Sequence, residues 1–218
     1  MRSRLHYRRE SRGVEFERVI FFTDAVFAIA LTLLVVEVGV PGTVRGADDD
    51  PGALLEALGD KVPLLAAFFL GCFVIGSYWA AHHRFMATLD AVDRGFIGLT
   101  VVYLAFVALL PFPTGVLGEF SSNPISMVAF ALNMAAVSSI EPVMLVHARR
   151  RDLLRDQLSD DVYSWVLRME LSPVALFLVS MPVAFVAPWL AVVVWSLSVP
   201  LQAIWNRRQP GTASQYLS

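Results

Sequence analysis

Long apolar runs alternate along this chain with short polar segments, and each run is close to the length needed to cross a bilayer. A transmembrane helix needs about 20 residues. Six stretches qualify: 16–40, 63–85, 95–117, 125–147, 166–186 and 189–205. The runs are continuous rather than alternating residue by residue, which predicts helices and not the strands of a barrel. The first run stops at Pro41-Gly42, and the fifth and sixth are joined by a tight turn at Ala187-Pro188. The expected architecture is therefore all-α: a polytopic membrane protein of six transmembrane helices occupying 1–208, with a disordered tail over 209–218.

Within the runs, Pro111, Pro113, Pro142, Pro173, Pro182 and Pro200 each remove a backbone donor and predict kinks. Trp79, Trp165, Trp189 and Trp205 fall near run ends, where interfacial anchors belong, whereas Trp195 does not. Between the first two runs, residues 53–58 form a short amphipathic pattern behind an acidic cluster that suits a helix N-terminus. It reads as a connector or an external lid. Residues 149–161 read as a solvated helical linker.

Composition agrees with this class. Of 218 residues, 56% are hydrophobic and 17% charged, where a soluble domain carries about 25% charged residues. The placement of charge gives orientation. Arg2, Arg4, Arg8, Arg9, Arg12 and Arg18 precede the first run. Arg84 and Arg94 separate the second and third, Arg149, Arg150, Arg151 and Arg155 the fourth and fifth, and Arg207 and Arg208 follow the sixth. The opposite loops hold Asp48, Asp49, Asp50, Glu56, Asp60 and Glu119 against only Arg45 and Lys61. Both termini are thus expected in the cytoplasm. Topology accounts for the arginines, so no nucleic-acid partner is required. Cys72 is the only cysteine, which excludes a disulfide within the chain. Ala28-Ile29-Ala30 resembles a signal cleavage site, but the run continues past it, so the segment is read as a retained helix.

The first run is unusual in carrying Arg18 and Asp24, because a charge in or at the edge of hydrocarbon costs a few kcal/mol or more. Six positions apart, the two point to different faces of a helix and need partners on neighbouring helices. Trp79, His82 and His83 are the candidates, forming a buried polar network that fixes packing. Ile29, Leu33 and Val36 share another face, flanked by Thr32 and continued by Phe22 and Ala25. Such a row is either lipid-facing or packed surface, or the lining of a narrow hydrophobic pore, which gates by dewetting and sorts ions by size. Arg18 lies near this face; Asp24 does not. The pattern occurs once, and one helix cannot enclose a pore, so a channel would require a symmetric ring of chains.

His82 and His83 diverge by about 100° on a helix, with no cysteine or carboxylate at ligand spacing, which argues against a metal site. Glu37 either attracts cations at the outer end of the first helix or faces outward. Glu141, beside Pro142, is a carboxylate in or near a membrane span with no evident partner. With His82 it is the basis of an alternative reading, a proton-coupled transporter. Catalytic signatures of the Gly-Xaa-Ser-Xaa-Gly, His-Glu-Xaa-Xaa-His and phosphate-loop kinds are absent, and neither enzyme activity nor a cofactor is expected.

Arg18-Xaa-Xaa-Xaa-Phe22-Thr23-Asp24 followed by Ala-Val-Phe-Ala-Ile29-Ala resembles the first-helix signature of the transmembrane protein 175 family of potassium channels, prokaryotic branch, with threonine where that family normally has serine. Trp79-Ala-Ala-His82-His83-Arg84 and Leu110-Pro-Phe-Pro-Thr-Gly-Val-Leu-Gly-Glu119-Phe are similar to its second and third helices. The resemblance implies a homotetramer in a prokaryotic plasma membrane, with first helices lining a potassium-permeable pore. It implies that Ile29 forms the narrowest constriction, with Thr32, Leu33 and Val36 in further layers outward. It assigns Arg18, Phe22, Thr23, Asp24, Trp79 and His82 to a hydrogen-bond network supporting that helix. The chain has no carbonyl filter of the Thr-Val-Gly-Tyr-Gly kind, so modest selectivity for K+ over Na+ is expected.

Overall fold

A computed structural model describes residues 7–8, 13–40, 50–155, 159–208 and 210. In chain order the elements are β1 (Tyr7–Arg8), α1 (Gly13–Val38), α2 (Pro51–Gly59), α3 (Val62–Ala87), β2 (Ala91–Val92), α4 (Arg94–Leu109), α5 (Pro111–Glu119), α6 (Pro124–Arg150), α7 (Asp160–Val186), α8 (Pro188–Ser196) and α9 (Ser198–Arg207). Among the described residues, six spans are long and apolar enough to cross a membrane, in agreement with the six expected runs. The chain is a multi-pass membrane protein. The tail over 209–218 lies outside the described residues except for Pro210.

Helix ends follow local chemistry. α1 stops one turn before the expected Pro41-Gly42, because Gly39 adopts φ 58°, the left-handed conformation that closes helices. The Lys61 ammonium donates to the Val38 carbonyl at 3.1 Å, satisfying an end-of-helix acceptor. α2 is the expected short helix, begun by Asp50, whose carboxylate accepts from the Gly52 N–H at 2.8 Å. Asp93 and Asn123 cap α4 and α6 in the same way.

The third span is two helices, α4 and α5, broken at Leu110 where Pro111 and Pro113 withdraw donors. The sixth is likewise split, between α8 and α9. Pro142, Pro173 and Pro182 instead sit inside unbroken helices. α1 packs on α3, α4 and α5, while α6 is the bundle's centre, lying against α7, α4 and α5. Phe16, Phe27, Leu34, Phe96, Tyr103 and Met134 are buried between them. Gly118 lets α5 come so near α3 that a Cβ there would stand 2.9 Å from Leu64 Cα.

The stretch after α6 is not the solvated helix its composition suggests. Asp152 takes φ 53°, and Leu153 is completely buried. The Leu153 carbonyl accepts from the Asp90 and Ala91 N–H groups, and the Arg155 N–H donates to the Thr88 carbonyl. Two leucines among polar residues give the segment something to bury, and it clamps the α3–α4 connection. On that connection β2 pairs antiparallel with β1, Tyr7 opposite Val92 and Arg8 opposite Ala91. Trp195, the tryptophan away from a run end, is buried against Phe130 and Phe177 and donates its indole N–H to the Ser180 hydroxyl at 2.8 Å.

Candidate functional site

α1 has one covered and one uncovered side. Thr23, Phe27, Ala30 and Leu34 recur at three- and four-residue intervals and are buried against the neighbouring helices. Roughly opposite, at about 100° per residue, stand Arg18, Phe22, Ala25, Ile29, Thr32, Leu33 and Val36, all exposed. Ile29 keeps 57% of its surface uncovered and Val36 67%. Phe21 and Val35 beside this column are also exposed, so the open arc is wider than a single row. The Thr32 hydroxyl donates to the Ile29 carbonyl at 2.8 Å, which leaves its oxygen lone pairs available on the open side.

Of the network candidates, Asp24 and Trp79 meet directly: the indole N–H donates to the Asp24 carboxylate at 2.8 Å, tying α1 to α3. His83 packs beside the Trp79 ring, with centroids 5.5 Å apart. Thr23 is buried but donates within its own helix, to the Val19 carbonyl at 2.9 Å. Arg18 and Phe22 lie on the uncovered side.

His82 is elsewhere, because it faces about 100° away from His83. It is 1% exposed and stacks on Tyr103, with centroids 4.8 Å apart. Its Nδ1 lies 3.8 Å from the Glu141 carboxylate, and neither ring nitrogen makes a hydrogen bond. The Tyr103 hydroxyl donates to Glu141 at 2.9 Å, supplying the partner that sequence spacing could not reveal. Glu170 on α7 faces the same region. The residue pattern offered a signal for it that sequence reasoning passed over: a carboxylate four positions inside an apolar run. Among the described residues, no group of three or more His, Cys, Asp or Glu is placed to hold a metal. Glu37 lies against Gly115 of α5, where a Cβ would collide with its carboxylate.

At the arginine-rich end, Asp93 contacts His147 at 2.9 Å and Arg151 at 3.8 Å. Burial pushes the Asp93 carboxyl up, but the Phe96 N–H, the His147 hydrogen bond and the two cations together outweigh it and hold it below the ordinary carboxylate value.

Residues 18–111, covering the α1 column and the Asp24–Trp79 bond, match the family model described as endosomal/lysosomal potassium channel TMEM175. A potassium channel of Streptomyces collinus is 34% identical over 150 residues, 67% of this chain and 70% of that protein. A potassium channel of Chamaesiphon minutus is 31% identical over 183 residues, 82% and 88% respectively. The crystal structure of a lysosomal potassium-selective channel TMEM175 homolog from Chamaesiphon minutus superposes with a TM-score of 0.74 at 26% identity. It covers 88% of this chain and 98% of that one. With the first-helix signature, the six spans and relatives aligned over most of their length, the chain belongs to the TMEM175 family.

Proposed function

We propose that this chain is one subunit of a potassium-permeable channel, a homotetramer whose first helices surround the pore. The observation that carries the reading is the uncovered side of α1. Its own subunit buries the Phe27–Leu34 side and leaves an apolar column bare, together with flanking residues such as Phe21 and Val35. A ring of identical helices uses such a surface in two ways: the middle of the arc faces the axis, and its edges pack on neighbouring copies. Ile29 then forms the tightest ring, with Thr32, Leu33 and Val36 as further layers. The Thr32 oxygens offer the hard ligands that a potassium ion accepts, while Ile29 and Leu33 impose a dry, narrow passage. Discrimination against sodium is modest in such a throat, since few fixed oxygens replace the hydration shell.

The remaining assignments follow from this arrangement. Asp24 and Trp79 hold α1 against α3 so that its open side stays aimed at the axis. Thr23 is buried on the covered side, His82 supports α1 through Phe27 rather than through Asp24, and Arg18 and Phe22 stand on the open side. Residues 1–208 act as one six-helix unit in the plasma membrane of a prokaryote, with the arginine-rich end and both termini in the cytoplasm. The relatives named as potassium channels support the choice of ion.

Purified protein in liposomes should pass potassium down its gradient with unitary currents. Flux equal to that of empty liposomes from folded, oligomeric protein would remove the channel reading. A proton-coupled transporter through Glu141 and His82 has their 3.8 Å approach in its favour. It predicts saturable uptake driven by a pH gradient in place of unitary currents.

A further inference from the structure

Glu141 and Glu170 are carboxylates inside the bundle that the pore does not use. Both border a cavity of about 110 Å³ between α3, α6 and α7, with Arg84 and Thr88 among its lining and apolar walls that include Phe85 and Met169. The groups facing them can be taken helix by helix. From α3 come His82, whose Nδ1 is 3.8 Å from Glu141, and Arg84, an exposed side chain. α4 supplies Tyr103, which donates to Glu141 at 2.9 Å. Tyr78 is engaged with Ser138, one turn before Glu141. On α7, Glu170 Oε2 is sealed from solvent and has no hydrogen-bond partner. His82, 1% exposed with both nitrogens unpartnered, leaves a second unmet polar demand in the same place.

Two carboxylates facing one small, mostly apolar cavity cannot both stay ionised, because like charges repel strongly where the dielectric constant is low. An unpartnered buried carboxylate is itself costly. A single proton removes both difficulties. Glu141 already has the Tyr103 hydroxyl as a partner whereas Glu170 Oε2 has none, which makes Glu170 the group on which the proton is placed. The cavity is large enough to admit water, which can link the two carboxyls and connect them with the Arg84–Thr88 end. We propose that Glu141 and Glu170 form an off-axis proton-binding site, with the exchangeable proton carried by Glu170 and shared toward Glu141 across the cavity. The site is independent of the pore assignment, since none of the residues bordering the cavity belongs to α1.

The test is infrared difference spectroscopy of the full chain in lipid vesicles, titrated through neutral pH in H2O and D2O. The expected result is a neutral carboxylic-acid carbonyl band at pH 7 that shifts on deuteration. It should disappear in Glu170→Gln and persist in Glu141→Gln with its titration moved to lower pH. Absence of the band in the wild type, or its survival in Glu170→Gln, overturns the proposal. So does a carboxylate band that responds to exchange of potassium for a large organic cation, which would make the occupant a metal ion. If Glu170→Gln fails to fold, the wild type alone decides: a hydrophobic carbodiimide, which attacks neutral carboxyls, should label Glu170 but not the exposed Glu37 or Glu119 by mass spectrometry. Glu170 left unlabelled at pH 7 refutes the site.

Discussion

Replacing Gly118 with alanine tests how closely the α3–α5 contact is fitted. A Cβ at this position would stand 2.8 Å from Leu64 Cδ2, 2.9 Å from Leu64 Cα and 3.1 Å from Ala67 Cβ, where ordinary contact begins at 3.4 Å. The Cα cannot rotate away as a side chain can, so α5 and α3 must part by roughly half an ångström along the seam. Overpacking of this kind costs about 1–3 kcal/mol. Gly71→Ala should cost less, because the atoms met at 2.9–3.1 Å are the side-chain ends of Leu34 and Thr114. Gly98→Ala should be neutral, since nothing lies within 4 Å. Unfolding in mixed detergent and dodecyl sulfate, followed by tryptophan fluorescence, should rank the variants Gly118→Ala, Gly71→Ala, Gly98→Ala from most to least destabilised. Equal stability of Gly118→Ala and Gly98→Ala would show that the helices are not held at the separation described.

Ile29→Asn should wet the constriction and bring the potassium-to-sodium permeability ratio toward one; an unchanged reversal potential removes Ile29 from the throat. Asp24→Ala should chiefly reduce oligomer recovered by size-exclusion chromatography, whereas normal assembly with altered conductance would make Asp24 a pore residue. Trp79→Phe deletes the indole donor to Asp24 and should cost about 1–2 kcal/mol in the same unfolding assay; no loss would mean that the bond contributes nothing. Asp93 is held below its ordinary value of 3.8, so its contribution to stability is complete above about pH 4 and is lost as pH falls through its lowered folded value. The stability gap between wild type and Asp93→Asn should therefore be present at about pH 5 and close as the pH falls further into acid. A gap that persists unchanged at pH 3 contradicts the Asp93–His147–Arg151 arrangement.

The spans were legible because hydrocarbon thickness imposes its length on any helix that crosses it, and uninterrupted apolarity marks the crossing. Which residues of α1 share a face could be read from spacing alone, but not which face its own subunit covers. What one helix cannot disclose is which neighbour meets which face. His82 was grouped with Asp24 on nearness in sequence to Trp79, yet the turn of α3 sends it to Tyr103 and Glu141. Glu141 found its partner 38 residues away. Glu170 passed unremarked inside an apolar run, although its charge type alone was the signal. The clamp at Leu153 was hidden because two leucines among arginines and aspartates are too short a pattern to outweigh the surrounding polarity.

The small antiparallel pair at the arginine-rich end imposes an order on biosynthesis. Tyr7 leaves the ribosome long before Val92, its partner across the ladder. At about 5–20 residues per second, the interval is roughly 4–17 s. Throughout that time the opening helix has no strand to steady its leading end, and α3 must be made and inserted before the tie can close. The chain's first segment thus finds its place only after the second crossing, and its anchoring marks the completion of the first two.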